Sequence, residues 1–315
     1  MAYFIVFAVV IALMLLTTWW FTRHTNKKIE RQFLPTGTFT EVDGGRIHWH
    51  QQGQGPALIL IHGLAGNGLN FSTLATQLAE RYTVYNIDRP GSGFSERHAD
   101  TSANFKQQSQ MILQWMDKVG LTTAFVVGHS MGGAISLRLA LDAPQRINAI
   151  TLLCPLTTPA MEPPGPLMSL YIPHTGLRHL LANTLATPLQ LQRGKKGVAQ
   201  VFYPEAVPNT FALEGGGALS LHSKRFFHAS SDIVASASSL YKQYERYDEI
   251  KCPVGVLFGE NDKILRPNTH IPAVTSKVVN SISEVIPNAG HMIPITRARE
   301  CKAFIDKVNA RASGT

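Results

Sequence analysis

The chain has 315 residues, 44% of them hydrophobic, and a formal net charge of +8. That is long for one minimal domain but normal for one large domain with an insertion, and it supplies a sizeable core. The basic residues are dispersed and no nucleic-acid module appears. Nucleic-acid binding is the sharp reading of that charge, but the dispersion favours plain surface association, including attraction to an anionic lipid leaflet. The three cysteines, Cys154, Cys252 and Cys301, are odd in number and widely spaced. They exclude a full disulfide framework and offer no CxxC metal spacing, and reduced thiols agree with a cytoplasmic domain.

Ala2 to Phe21 contains no charged residue and is dominated by Ile, Val, Leu, Ala and Phe. About 20 such residues span the hydrocarbon of a bilayer, and Trp19 and Trp20 end the run where aromatic rings favour the interface. A cleaved signal peptide is the competing reading. It would want a basic start, a shorter apolar stretch and small residues at the cut, and Thr17-Thr18-Trp19-Trp20 is a poor site. The expectation is a membrane anchor over residues 1–22. Arg23, Lys27, Lys28 and Arg31 follow it closely, which places the downstream domain on the cytoplasmic side. Residues 23–35 read as a polar, basic connector.

Short strands follow. Thr38–Val42 and Arg46–Gln51 flank Asp43-Gly44-Gly45, a hairpin turn. Ala57–Ile61 is a continuous apolar run, as in a strand covered on both faces. Phe71–Glu80 has helical spacing, Thr83–Ile87 is a strand, and Phe105–Val119 is a helix. Ala124–Val127 is a strand, Met131–Leu141 a helix, and Ala149–Leu153 a strand. From residue 155 to 239 the rhythm breaks. Leu167, Leu170 and Tyr171, then Leu177, Leu180 and Leu181, suggest short amphipathic helices. The alternation resumes with a strand at Val254–Phe258, a helix near Ala273–Val279, a strand near Ser283–Ile286 and a helix at Arg297–Asn309. Such alternation argues for an α/β fold with a mostly parallel sheet and helices on both faces. The core is assigned to residues 36–154 and 240–315, and 155–239 to a helical cap over the carboxyl edge of the sheet, where such sheets bind ligands.

The strand Ala124–Val127 runs into Gly128-His129-Ser130-Met131-Gly132-Gly133, and then a helix begins. This is GxSxG between a strand and a helix. Flanking glycines leave room for a sharp, strained turn, and the helix start aims amides at the serine oxygen.

With this elbow in place the chain resembles the α/β-hydrolase fold family, over roughly residues 36–310. The resemblance implies an eight-stranded sheet and a chain order of serine, acid, histidine. Ser130 is then the nucleophile. His291, in Pro287-Asn288-Ala289-Gly290-His291-Met292, matches the family's catalytic-histidine loop. Asp262, closing Phe258-Gly259-Glu260-Asn261-Asp262, matches its acid site, with Glu260 as the rival carboxylate. The resemblance also assigns the oxyanion donors. One is the Met131 amide and the other the Leu64 amide, in Leu60-Ile61-His62-Gly63-Leu64. Asp88, in Asp88-Arg89-Pro90-Gly91-Ser92-Gly93, reads as a loop organiser, and His129 as a neighbour that sets the environment. The cap histidines His174, His179, His222 and His228 read as surface or core residues, any one of which could touch substrate.

Members with an aspartate nucleophile handle epoxides or alkyl halides, and serine here argues against both. The anchor, connector, hydrolase and modest cap together resemble membrane-anchored monoacylglycerol-lipase-like enzymes. The expectation is a serine hydrolase of hydrophobic or lipid-like carboxylic esters, needing no metal or organic cofactor. Two alternatives stand beside it: a C–C hydrolase of aromatic ring-fission products, and a membrane-tethered, catalytically silent binding protein. Leu167, Leu170, Tyr171, Phe226 and Phe227 either line an acyl pocket or form the cap's own core.

Overall fold

The computed structural model describes residues 1–159 and 165–312. Residues 160–164 of the expected cap and 313–315 of the expected core lie outside the described residues. Helix α1 covers Ala2–Gln32. At 1.5 Å per residue it is about 46 Å long, more than a bilayer's hydrocarbon needs. Its first part exposes Phe4, Val6, Phe7, Val10 and Leu13, an apolar surface that nothing among the described residues covers. Its last turns dock on the cap. Thr22 Oγ1 donates to Thr184 O at 2.8 Å, and Asn26 exchanges two hydrogen bonds with Ser223. The stretch expected as a connector from residue 23 is therefore helical as far as Gln32. The backbone ladder of α1 simply continues, and Asn26 and Glu30 find partners on the cap in Ser223 and His222.

The remaining elements build one sheet. The hairpin β1 (Thr38–Val42) and β2 (Gly45–Gln52) is antiparallel. Then come β3 (Ala57–Ile61), α2 (Ser72–Leu78), β4 (Thr83–Ile87), the two-residue β5 (Glu96–Arg97) and α3 (Phe105–Lys118). The elements β6 (Ala124–His129), α4 (Met131–Asp142) and β7 (Ile147–Leu153) lead into the cap. The cap holds α5 (Thr175–Asn183), α6 (Ala186–Phe202) and α7 (Ser223–Tyr244). The core closes with β8 (Val254–Gly259), α8 (Pro267–Thr275), β9 (Ser281–Ile286), α9 (Ile293–Thr296) and α10 (Ala298–Ala312). Strand order is β1-β2-β4-β3-β6-β7-β8-β9, with β5 added beside β2. The main path thus has the expected eight strands, and every neighbour pair from β4 onward is parallel.

The sheet centre is apolar on both faces. Leu58, Ile59, Leu60 and Ile61 are all fully buried, as are Ile150, Leu152 and Leu153. Burying each such side chain contributes about 1.5–3 kcal/mol. Register then decides what meets at the sheet's edge. Ile61 pairs with Gly128, His129 with Leu153, Leu153 with Leu257, and Gly259 with Ile286. The loops leaving β3, β6, β7, β8 and β9 therefore emerge side by side. The cap has a small cluster of its own, formed by Leu170, Ala182, Ala186, Phe226, Ala229 and Ile233, with Leu64 and Ala65 of the loop after β3 packed against it. Leu170 and Phe226 are thus cap core, whereas Tyr171 is exposed.

Candidate active site

Ser130 sits between β6 and α4 with φ 53° and ψ −120°, the strained turn that the elbow demands. Its own amide donates to Leu153 O at 3.0 Å, and its carbonyl accepts from Gly133 and Leu156 at 2.9 Å each. The flanking glycines are required by space: a Cβ on Gly132 would collide with Ile61 O, and one on Gly128 with Ser136 Oγ. The other described non-glycine residues with positive φ are Ala65, Cys154 and Asn288. They follow β3, β7 and β9, so this backbone strain is gathered at the carboxyl edge of the sheet around Ser130.

Two further expected residues meet directly. His291 Nδ1 lies 2.7 Å from Asp262 Oδ2. A carboxylate only accepts, so Nδ1 carries the proton and Nε2 is left free to take one. Asp262 Oδ1 accepts from the amides of Ile264 and Leu265 at 2.8 and 2.9 Å. Burial pushes the Asp262 carboxyl up, but His291 and these two amides outweigh it and hold the carboxyl below its ordinary range. Glu260, the rival, is exposed and accepts from Asn288 N instead. His129 Nε2 donates to His291 O at 2.9 Å, with the two rings 4.9 Å apart. Burial and the facing His291 push His129 down to about 3, so its ring is neutral.

The loop after β3 touches the elbow. A Cβ on Gly63 would sit 3.0 Å from Ser130 Cβ and 3.2 Å from His129 Nδ1. Gly63, the residue before Leu64, thus approaches Ser130 from the loop after β3, and Met131 follows Ser130 as the first residue of α4. Asp88 binds the surrounding loops. It accepts from His48 Nδ1 at 2.8 Å, Gly68 N at 2.7 Å and Phe94 N at 2.8 Å.

Strands leading into a serine elbow, a paired imidazole and carboxylate, and a glycine-bearing loop beside them all match one known family. The sequence profile of the alpha/beta hydrolase fold matches residues 56–298. The chain belongs to the α/β-hydrolase fold family. A dihydrolipoyllysine-residue acetyltransferase component of an acetoin cleaving system from Cupriavidus necator is 40% identical over 120 residues, 38% of this chain and 32% of that protein. The chain thus matches about a third of that relative's length. Haloalkane dehalogenase 2 of Mycobacterium bovis is 24% identical over 259 residues, 79% of this chain and 86% of the relative. Among solved structures, a membrane phospholipase A, a bacterial virulence factor, aligns at TM-score 0.66 and 20% identity, over 98% of this chain and 97% of its own. That likeness is one of fold.

Within this α/β-hydrolase, three features escaped the sequence reading. Cys154 Sγ and ring or carboxylate atoms of His291 and Asp262 lie within 4.8 Å of one another. Burial pushes the Cys154 thiol well above its ordinary value. Its sulfur contacts Gly290 O and Gly259 N, so it packs against the acid–histidine pair. Glu205, between α6 and α7, accepts from Gly290 N at 3.2 Å and Thr296 Oγ1 at 2.8 Å, and so braces the histidine loop from the cap side. The third feature is the buried group of Arg89, Arg97, Gln108 and Asp232, joined by hydrogen bonds of 2.7 to 3.0 Å. It joins the core to α7, and its only sequence signal was Arg89 lying next to Asp88. A cavity of about 310 Å³ at the seam of core and cap is lined by Arg97, Arg178, Phe227 and His228 among others, and by neither Ser130 nor His291.

Proposed function

We propose that this α/β-hydrolase is a serine hydrolase of carboxylic esters, acting on hydrophobic or lipid-like substrates of the monoacylglycerol type. The single observation that carries the reading is the buried Asp262–His291 hydrogen bond of 2.7 Å beside a serine on a strained elbow. A serine hydroxyl is a poor nucleophile until a base takes its proton, and an oriented imidazole supplies that base.

In the proposed cycle Ser130 Oγ attacks the acyl carbon while its proton passes to His291 Nε2. Asp262 steadies the imidazolium. The amides of Leu64 and Met131 receive the oxyanion, and donors of this kind are each worth about 10²–10³ in turnover. The tetrahedral adduct collapses, the ester C–O bond breaks, and His291 returns the proton to the leaving alcohol. Water, deprotonated by His291, then attacks the acyl-serine; the acyl–Oγ bond breaks, His291 returns the proton to Ser130 Oγ, and the acid leaves. Serine at the elbow favours acyl transfer over the alkyl-halide chemistry named for the Mycobacterium bovis relative.

The lipid-like substrate class rests on α1. It is 31 residues long, its apolar window has mean hydropathy 2.4, and it packs on the cap. We place the catalytic domain on the cytoplasmic face, from Arg23, Lys27, Lys28 and Arg31; a reporter fused at the carboxyl end reads that side directly. Ser130→Ala should keep the fold and lose turnover of p-nitrophenyl esters and monoacylglycerols by about 10⁴-fold or more. Wild-type turnover by that variant defeats the reading. Faster cleavage of a ring-fission product than of any ester would transfer it to the C–C hydrolases.

A further inference from the structure

The Leu64 amide can serve as an oxyanion donor only if the Gly63–Leu64 peptide plane has one orientation. A trans peptide holds its C=O and N–H in opposite directions. Whatever pins Gly63 O therefore also aims Leu64 N–H. Gly63 O accepts from His62 Nδ1 at 2.8 Å, from Arg89 Nη2 at 3.1 Å and from Gly66 N at 3.3 Å. The preceding plane is held in the same way, since His62 O accepts from Arg89 Nε at 2.9 Å. The His62 tautomer depends on Arg89 too, because the Arg89 amide donates to His62 Nε2 at 2.9 Å and leaves the proton on Nδ1. Arg89 thus grips this loop through three nitrogens.

Its fourth nitrogen faces the cap. Arg89 Nη1 donates to Asp232 Oδ2 at 3.0 Å and to Gln108 Oε1 at 2.8 Å. Asp232 lies on α7, and its other oxygen accepts from Arg97 at 2.7 Å. Arg89 and Asp232 side chains are fully buried. A planar guanidinium forks rigidly, so the direction of Nη1 fixes those of Nε and Nη2. A buried pair of this kind is also highly directional, because either member alone is an uncompensated charge.

We infer that Asp232 and Arg89 are positioning residues: the cap, through Asp232, orients the Arg89 fork, and that fork sets the peptide planes that aim the Leu64 amide at the oxyanion. An ion pair serving only to fasten the cap would have no need of both loop carbonyls. The inference rests on the serine-hydrolase reading and deepens it, because the cap becomes part of the machinery that stabilises the transition state.

The test uses the full chain in detergent with two variants. Asp232→Asn keeps the shape but removes the charge that orients the fork. Arg89→Lys keeps a charge beside Asp232, which protects the fold, but a single ammonium cannot hold two carbonyls and a carboxylate together. In both, kcat for p-nitrophenyl butyrate should fall by roughly tenfold to a hundredfold, since a donor is misaimed and not removed. KM should stay within about twofold, and the Ki of a trifluoromethyl ketone, which forms a tetrahedral adduct, should rise by the same factor as kcat falls. The pH profile of kcat/KM should not move, because Asp262 and His291 are untouched. Folded variants with wild-type kcat, or a kcat loss with an unchanged Ki, overturn the inference. A wild-type chain that turns over no ester and resists fluorophosphonate overturns the serine-hydrolase reading itself, and the positioning role with it.

Discussion

The sheet core and the cap are held in place by different physics. In the core, β3 and β7 bury runs such as Leu58–Ile61 and Ile150–Leu153 completely. That stabilisation grows with area and has no direction. The cap has six buried residues in its own cluster. Apolar packing reaches it too, through Leu64 and Ala65 on its cluster and Leu240 in the core, but several of its ties are directional and polar: Asp232 to Arg89 and Arg97, Thr184 to Thr22, and Ser223 to Asn26. Apolar burial makes a scaffold that tolerates small shifts. Buried hydrogen bonds make a joint with one seating, and the joint fails when either partner goes. Here the two kinds of cohesion meet at the site: the elbow rests on the core, whereas the loop carrying Leu64 and the loop carrying His291, through Glu205, also rest on the cap.

Asp262→Asn should produce the largest effect and should be confined to the core. The amide would present its NH₂ toward His291 and favour the wrong ring tautomer, lowering kcat by about 10⁴-fold. Thermal unfolding should show the cap seated as in the wild type; a variant that keeps full turnover breaks the assignment of Asp262.

Acid should come next, and it acts on core and cap alike, since burial also pushes His228 of α7 down to about 4. Burial holds His62 at about 4 and His129 at about 3, against an ordinary 6.5. Below 6.5 the unfolded chain binds protons that the folded chain refuses. Stability from these groups is thus full above 6.5 and is lost as pH falls toward 4. Each contributes a slope of at most about 1.4 kcal/mol per pH unit, and Asp262, held low, adds its own loss below its ordinary range. Chemical unfolding measured between pH 7 and 4.5 reads that slope; a flat profile contradicts neutral, buried imidazoles.

The smallest effect belongs to the cap's joint with α1. Thr22→Val removes the hydrogen bond to Thr184 O and should cost about 1 kcal/mol. Hydrogen exchange should rise at α5 and α6 and stay unchanged in β6 and β7. Equal loosening of the core would erase the contrast between the two regions.

What could be read along the chain was whatever repeats or turns locally. The run Ala57–Ile61 became β3 with the same bounds, and Thr83–Ile87 became β4. The glycines around Ser130 announce an elbow because the close approach of Ile61 O leaves no room for a Cβ. The cap was harder. Helix α6 contains Gly194 and Gly197, and α7 is interrupted by Ser230, Ser231, Ser236, Ser238 and Ser239, residues that weaken a helical pattern. Helix α8 starts at Pro267, earlier than its apolar residues suggested, because proline suits a first helical turn.

The sequence by itself determined the α/β architecture, the apolar amino-terminal helix and the strand ends on which Ser130, Asp262 and His291 stand. The architecture, the helix and the elbow follow from local periodicity and turn sterics, whereas Asp262 and His291 were singled out by the resemblance to the family. Only the tertiary structure decided that α1 continues to Gln32 against the cap, that Cys154 packs against the acid–histidine pair, and that Arg89 reaches both His62 O and Asp232. Arg89 and Asp232 are 143 positions apart. Charges pair by distance in space, and no periodicity along the chain records which buried guanidinium will meet which carboxylate once the cap has closed.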